Sequence, residues 1–239
     1  MKIIIAPSKT QDYSNPSSHG LEMVNQDKTL KLFEMLKDRR IDELAKLLKI
    51  KNNLLDQTYE LYQSFNPNQN LYKAIDIYEG VVFQQLDKEH YNEIEVDFLK
   101  EHLVILSAMY GPLKANTLIW PYRLDMTIKP NDINLYQYWQ DDIDCYFDDQ
   151  EIIINLASNE FSKMIKKQRK NMVNIDFKDK KDNGKLRTIS YNAKKARGQM
   201  LDVIIKNQIN QVNDIKKLDI DGYRFSDIHS KEKHLIFVK

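Results

Sequence analysis

At 239 residues the chain is long enough for one large core, and 42% hydrophobic residues suit a globular protein rather than a disordered one. Lys and Arg (36) nearly cancel Asp and Glu (35), so the overall charge points neither to nucleic acid nor to a membrane. Six Gly and six Pro argue against a loop-rich or all-β design.

Ile3 to Ala6 reads as a buried first strand, a short β-branched run that Pro7 stops. The polar run Ser8-Lys9-Thr10-Gln11-Asp12-Tyr13 follows it, where a strand of an α/β protein delivers functional loops. From Lys28 to Phe65 apolar residues recur at three and four: Leu30, Phe33 and Leu36, then Ile41, Leu44, Leu47 and Leu48, then a third helix from Leu54. Short segments follow Pro67. A helix over Glu93 to His102 leads into a second buried strand, Leu103 to Ala108, closed by Tyr110-Gly111-Pro112. Ile152 to Leu156 is a third strand, and Ser158-Asn159-Glu160 after it reads as a helix start. Strand patterns cover 172–177 and 186–192, a helix covers 193–208, and Gly222–Phe225 and His234–Val238 form a final antiparallel pair. Strands interleaved with helices, with no repeat and no linker, predict an α/β single domain over residues 1–239 with a mixed β-sheet surrounded by helices.

A lone cysteine, Cys145, forms no internal disulfide and fits a reducing compartment. The apolar start is too short for a signal peptide, and no stretch approaches the ~18–20 apolar residues of a membrane span, so the expected location is cytoplasmic.

Charge is uneven along the chain. Residues 131–151 carry seven acids and no Lys or Arg, whereas residues 161–198 carry thirteen Lys or Arg and three Asp, a local net of +10. Such a basic stretch either supplies phosphate contacts or is a solvated surface paired with the acidic one. Lys194, Lys195 and Arg197 fall at the start of the predicted helix, where cations oppose the dipole unless an anion lies nearby, so they form a candidate phosphate site.

Six runs occur in an order that resembles the YaaA family of bacterial peroxide-stress proteins. They are Pro7-Ser8-Lys9-Thr10, Leu106-Ser107-Ala108-Met109-Tyr110-Gly111, Pro121-Tyr122-Arg123-Leu124-Asp125-Met126, Tyr136-Gln137-Tyr138-Trp139, Asn155-Leu156-Ala157-Ser158-Asn159-Glu160 and Ala193-Lys194-Lys195-Ala196-Arg197-Gly198. The resemblance implies a role in limiting iron-dependent damage during peroxide stress, and a compact α/β fold with a positively charged cleft suited to DNA. It also implies a helix-hairpin-helix element. The best hairpins here, near Lys49–Asn53 and Gly111–Lys114, lack the Gly-x-Gly turn that lets backbone amides approach phosphate.

Each candidate residue carries two readings. Ser8, Lys9 and Thr10 either converge on an anion or form a polar turn with Thr10 capping. Tyr110 either presents a phenol at a strand edge or packs with its hydroxyl on the backbone. Arg123 and Asp125 flank Leu124, so in extended chain they share one side, as a salt bridge or as an Arg held for phosphate. Glu160 is either part of a helix cap or a general base. The five His residues have no close ligand spacing, and neither a Walker loop nor Gly-x-Gly-x-x-Gly occurs, so no metal or cofactor is expected. Two functions of different class follow. One is DNA binding through the basic stretch, with Tyr191 and Trp139 as stacking aromatics. The other is an enzyme acting on a nucleobase, nucleotide or nucleic acid in a polar pocket; a phosphorylated small molecule is the alternative partner to DNA. Convergence of the polar runs in one pocket favours chemistry, and dispersal favours binding.

Overall fold

A computed structural model describes residues 1–67 and 71–239. The start of the short segments expected after Pro67 lies outside the described residues. In chain order the elements begin with β1 (Lys2–Ile5), then α1 (Gln26–Lys37), α2 (Ile41–Leu48) and α3 (Asn53–Gln63). Next come β2 (Tyr72–Lys73), α4 (Ala74–Ile77), α5 (Glu93–His102), β3 (Leu103–Ser107), β4 (Gly111–Lys114) and β5 (Leu118–Ile119). The middle of the chain forms α6 (Leu135–Tyr138), α7 (Gln140–Tyr146), β6 (Ile153–Asn155), α8 (Asn159–Ser162), β7 (Met172–Lys180) and β8 (Leu186–Arg187). It ends with α9 (Ser190–Lys206), α10 (Val212–Ile215), β9 (Asp219–Ile220), β10 (Tyr223–Phe225) and β11 (His234–Val238).

One mixed sheet organises the fold, in the order β4-β3-β1-β6-β7-β11-β10-β9, with β8 paired to β7. Its five middle strands run parallel and its edges antiparallel. The central strands are apolar without alternation and buried, as strands covered on both faces must be. Ile4 pairs with Val104 of β3 on one side and Asn155 of β6 on the other. The expected β10–β11 hairpin forms antiparallel.

Three details depart from the sequence reading. Gly111 does not only close β3; it opens β4, which folds back on β3 with Leu106 opposite Pro112. The strand expected to Asn192 stops at Arg187, because α9 begins at Ser190. Lys194, Lys195 and Arg197 therefore lie beyond the first turn, where the dipole penalty has largely fallen away. That leaves their surroundings, not the helix end, to account for the clustered charge.

The topology fixes where a ligand would sit. The chain leaves β1 towards β3 on one side and leaves β6 towards β7 on the other. The loops after β1 and β6 thus diverge and open a crevice at the carboxyl ends of the strands, the usual ligand position in such sheets.

Candidate functional site

A cavity of about 460 Å³ occupies this crevice. Its wall is made by four segments distant in sequence: the loop after β1, the Gly80–Phe83 turn, the extended run through Arg123, and the β6–α8 junction, closed by one face of α9. Ser8, Lys9, Thr10, Arg123, Asp125, Ser158, Glu160, Lys194 and Arg197 all line it. The apolar remainder includes Val81, Val82, Phe83, Leu124 and Phe161.

Local chemistry explains each placement. The Ser8 hydroxyl oxygen accepts from the Thr10 amide at 3.1 Å, which tightens the loop after β1. Thr10 caps no helix among the described residues; its carbonyl accepts from the Glu79 amide at 3.0 Å. Two glycines let the wall close. A Cβ on Gly80 would overlap the Ser8 side chain, and one on Gly198 would overlap the backbone oxygen of Val82. The 80–82 segment is held between the β1 loop and α9 by these close approaches. On α9, Lys194 and Arg197 are three apart and share the face turned to the cavity.

The 122–126 run alternates, with Tyr122, Leu124 and Met126 buried and Arg123 and Asp125 turned outward. The predicted sharing of one side therefore holds, although the run pairs with no strand among the described residues. Tyr62 clamps it: its buried hydroxyl donates to the Arg123 carbonyl at 2.8 Å and accepts from the Arg123 amide at 3.1 Å. Beneath, the Tyr122 hydroxyl bonds Ser107 Oγ at 2.8 Å and Tyr78 Oη at 2.9 Å, and the Tyr122 amide donates to Gln11 Oε1 at 3.0 Å. Burial pushes the Tyr122 phenol up to about 12, so this network stays neutral.

Charge in the wall is only partly paired. Lys9 Nζ donates to Asp125 Oδ2 at 2.7 Å, so Asp125 pairs with Lys9 rather than with Arg123. Among the described residues the Arg123 guanidinium makes no ion pair. Arg197 lies 3.5 Å from Asp176, which also holds His234 at 2.9 Å, and Arg197 Nε is buried with no hydrogen-bond partner among the described residues. Burial holds the Arg197 pKa below the ordinary guanidinium value despite Asp176. Glu160 Oε1 accepts from the Met126 amide at 3.0 Å. Burial and then the neighbouring Asp125 charge raise the Glu160 pKa above its ordinary value. Ser158 sits at the N-cap of α8 without a side-chain cap bond. The Ser-x-Glu spacing is one residue short of a capping box, which leaves Glu160 free to turn to the cavity.

Two predicted residues lie elsewhere. Tyr110 is fully buried, donates to the Trp120 carbonyl at 2.6 Å and accepts from the Trp120 amide at 2.9 Å, and is not part of the wall. Lys195 points off the cavity face and pairs with Asp221 at 3.6 Å. Of the stacking aromatics, Trp139 is wholly buried with its Nε1 donating to the Ala108 carbonyl, while Tyr191 is exposed. The basic and acidic stretches do meet, through Lys167 and Asp149 at 3.0 Å. The 49–53 hairpin is formed between α2 and α3, with Lys49 in the left-handed region at φ 56°, whereas 111–114 is the strand β4. Sequence reasoning missed Gly80 and Phe83; Gly80-Val81-Val82 carried no polar signal. Among the described residues no group of three or more His, Cys, Asp or Glu is placed to hold a metal ion, and no helix is long and apolar enough to cross a membrane.

The family model described as "Peroxide stress protein YaaA" matches residues 1–229. The chain is 38% identical over 247 residues to a UPF0246 protein of Fusobacterium nucleatum subsp. nucleatum, covering 100% of this chain and 99% of the relative. UPF0246 proteins of Rickettsia felis and Francisella tularensis subsp. tularensis are each 36% identical, with 100% of both chains covered. The runs that build the cavity lie within the matched residues, and the chain belongs to the YaaA family of peroxide stress proteins.

Proposed function

We propose that this peroxide stress protein works through the β1–β6 cavity, as a cytoplasmic enzyme that binds a phosphorylated small molecule and moves a proton on it. The observation that carries this reading is convergence. Lys9, Arg123, Lys194 and Arg197 come from three remote parts of the chain, yet line one cavity with Asp125 and Glu160. A surface binder of a phosphate backbone needs no such enclosure. The guanidinium groups of Arg123 and Arg197 suit the oxygens of a phosphate, with Lys194 as a point charge beside them. Glu160, its proton held by burial and by Asp125, serves as the general acid or base.

Calorimetric titration of ribose 5-phosphate into wild type and Arg123→Ala/Arg197→Ala tests the reading. Saturable binding with at least a tenfold loss in the double variant is expected. No saturable binding of ribose 5-phosphate, phosphate or pyrophosphate by wild type would sink it.

A second reading, DNA binding that limits iron-dependent damage, is favoured by the α2–α3 hairpin. Lys46, Lys49 and Lys51 are exposed there, and Lys49 adopts the left-handed turn conformation. A salt titration on duplex DNA separates the two readings. Each phosphate contact should contribute about −0.9 to the slope of log affinity against log salt. Loss of slope in Lys49→Glu/Lys51→Glu, but not in Arg123→Ala/Arg197→Ala, assigns DNA to the hairpin.

A further inference from the structure

Next to the main cavity lies a smaller one of about 170 Å³, walled by four rings, Tyr13, Phe65, Tyr72 and Trp120, and by Leu61, Ser64, Asn66 and Pro121. Two of its rings, Tyr13 and Trp120, come from the continuations of segments that also build the main cavity, whereas Phe65 follows α3 and Tyr72 lies in β2. Gln11 lines the large cavity and Tyr13 the small one, two residues on; Pro121 lines the small cavity and Tyr122, next in sequence, the large one. The two segments are tied where they cross, by the Tyr122 amide on Gln11 Oε1 at 3.0 Å. Residues two apart in extended chain are separated by roughly 6.6 Å, so the cavities adjoin. Arg123, in the wall of the large cavity, is close enough to Tyr13 for its charge to oppose the rise that burial imposes on the Tyr13 phenol.

The rings of the small cavity are held differently on its two sides. Phe33, Phe65 and Trp120 pack edge-on or stacked against one another, with Phe65 and Trp120 centroids 5.1 Å apart at 84°. Tyr13, by contrast, is 48% exposed and meets Tyr72 at 6.4 Å and 57°. Trp120 itself is only 4% exposed, and its Nε1 has no hydrogen-bond partner among the described residues. A buried indole N–H without an acceptor is costly and uncommon. Trp139, the other tryptophan, shows the ordinary solution, with Nε1 donating to the Ala108 carbonyl at 2.9 Å.

We infer that the aromatic cavity is a nucleobase subsite, in which a ring stacks on Tyr13 and Tyr72 and a base oxygen or ring nitrogen accepts from Trp120 Nε1 after a small side-chain shift. Size permits it: a cavity of about 150 Å³ accommodates benzene, so a single six-membered ring fits here. Chemistry favours a base over a plain hydrocarbon ring, because only the base brings an acceptor for the indole. The ligand class is then a pyrimidine nucleotide, its phosphate among Lys9, Arg123, Lys194 and Arg197 and its base in the aromatic cavity. This assignment rests on the phosphate reading of the main cavity and names the ligand's other end.

The test compares uridine 5′-monophosphate with ribose 5-phosphate by calorimetry, and follows tryptophan fluorescence in Trp139→Phe, where Trp120 is the sole indole. Uridine 5′-monophosphate should bind at least about tenfold more tightly, as stacking on aromatics commonly provides, and quench Trp120. Tyr13→Ala, a half-exposed position tolerant of truncation, should bring the two affinities together. Equal affinities with no change in Trp120 emission would overturn the base subsite and leave the phosphate site standing. Failure of both compounds to bind would overturn the phosphate reading, and the subsite with it.

Discussion

The support behind the main cavity, here called its floor, and the wall that lines it are built from polar groups in opposite conditions. In the floor, the hydroxyls of Tyr62, Tyr78, Tyr122 and Ser107 are buried and each has a partner between 2.8 and 2.9 Å. In the wall, Lys9 and Asp125 pair, yet among the described residues Arg123 makes no ion pair and the buried Arg197 Nε has no partner, and Glu160 sits beside a second carboxylate. A satisfied buried network rigidifies a fold, whereas charges gathered with spare bonding capacity cost stability until an ion completes them. The contrast separates the residues that hold the site from those that would use it.

Variants break the contrast in different ways. Gly198→Val places side-chain atoms on the Val82 backbone and should destabilise by about 3 kcal/mol, the upper end of overpacking, read as a lowered denaturant midpoint. Tyr62→Phe should cost about 1–2 kcal/mol, because it strips the partly buried Arg123 amide and carbonyl of their shared partner. If the floor positions the wall, that variant should also weaken ribose 5-phosphate binding; unchanged affinity would show that Arg123 needs no clamp.

Glu160→Gln sharpens the comparison through pH. The folded pKa of Glu160 is raised above 4.5, so the folded state binds more protons than the unfolded one as pH climbs past that value. Wild-type stability should therefore fall relative to Glu160→Gln from about pH 4.5 through the raised folded pKa, then run parallel. Paired denaturation curves across that range read the sign, and a wild type that gains on the variant would contradict the assigned cause. The smallest effect is expected for Lys195→Glu, which replaces a solvent-exposed pair with Asp221 and should change stability by no more than about 0.5–1 kcal/mol.

Much of this arrangement is readable in the chain. The apolar runs at Ile3–Ile5, Leu103–Leu106 and Ile153–Ile154 announce buried strands, and polar residues directly after them mark where loops open. Period-two placement of Arg123 and Asp125 around Leu124 held even without a paired strand. Tyr110 was less readable, because a phenol after a strand reads alike whether it turns inward to the Trp120 backbone or outward to solvent. Lys194 and Lys195 illustrate the same limit: adjacent cations on a helix differ by about 100° in direction, and only packing decides which one meets the cavity. Gly80 and Gly198 carry no chemistry of their own, and their importance lies in close approaches between remote segments.

The most direct measurement sets those neighbours against each other. Ribose 5-phosphate affinity would be measured by calorimetry for wild type, Lys194→Glu and Lys195→Glu under one buffer and salt. A cavity that binds phosphate predicts at least a tenfold loss for Lys194→Glu and less than a twofold change for Lys195→Glu, a difference of about 1 kcal/mol or more. Equal losses in the two variants would mean that the protein senses only its overall basic surface, and would contradict a phosphate site between β1 and β6.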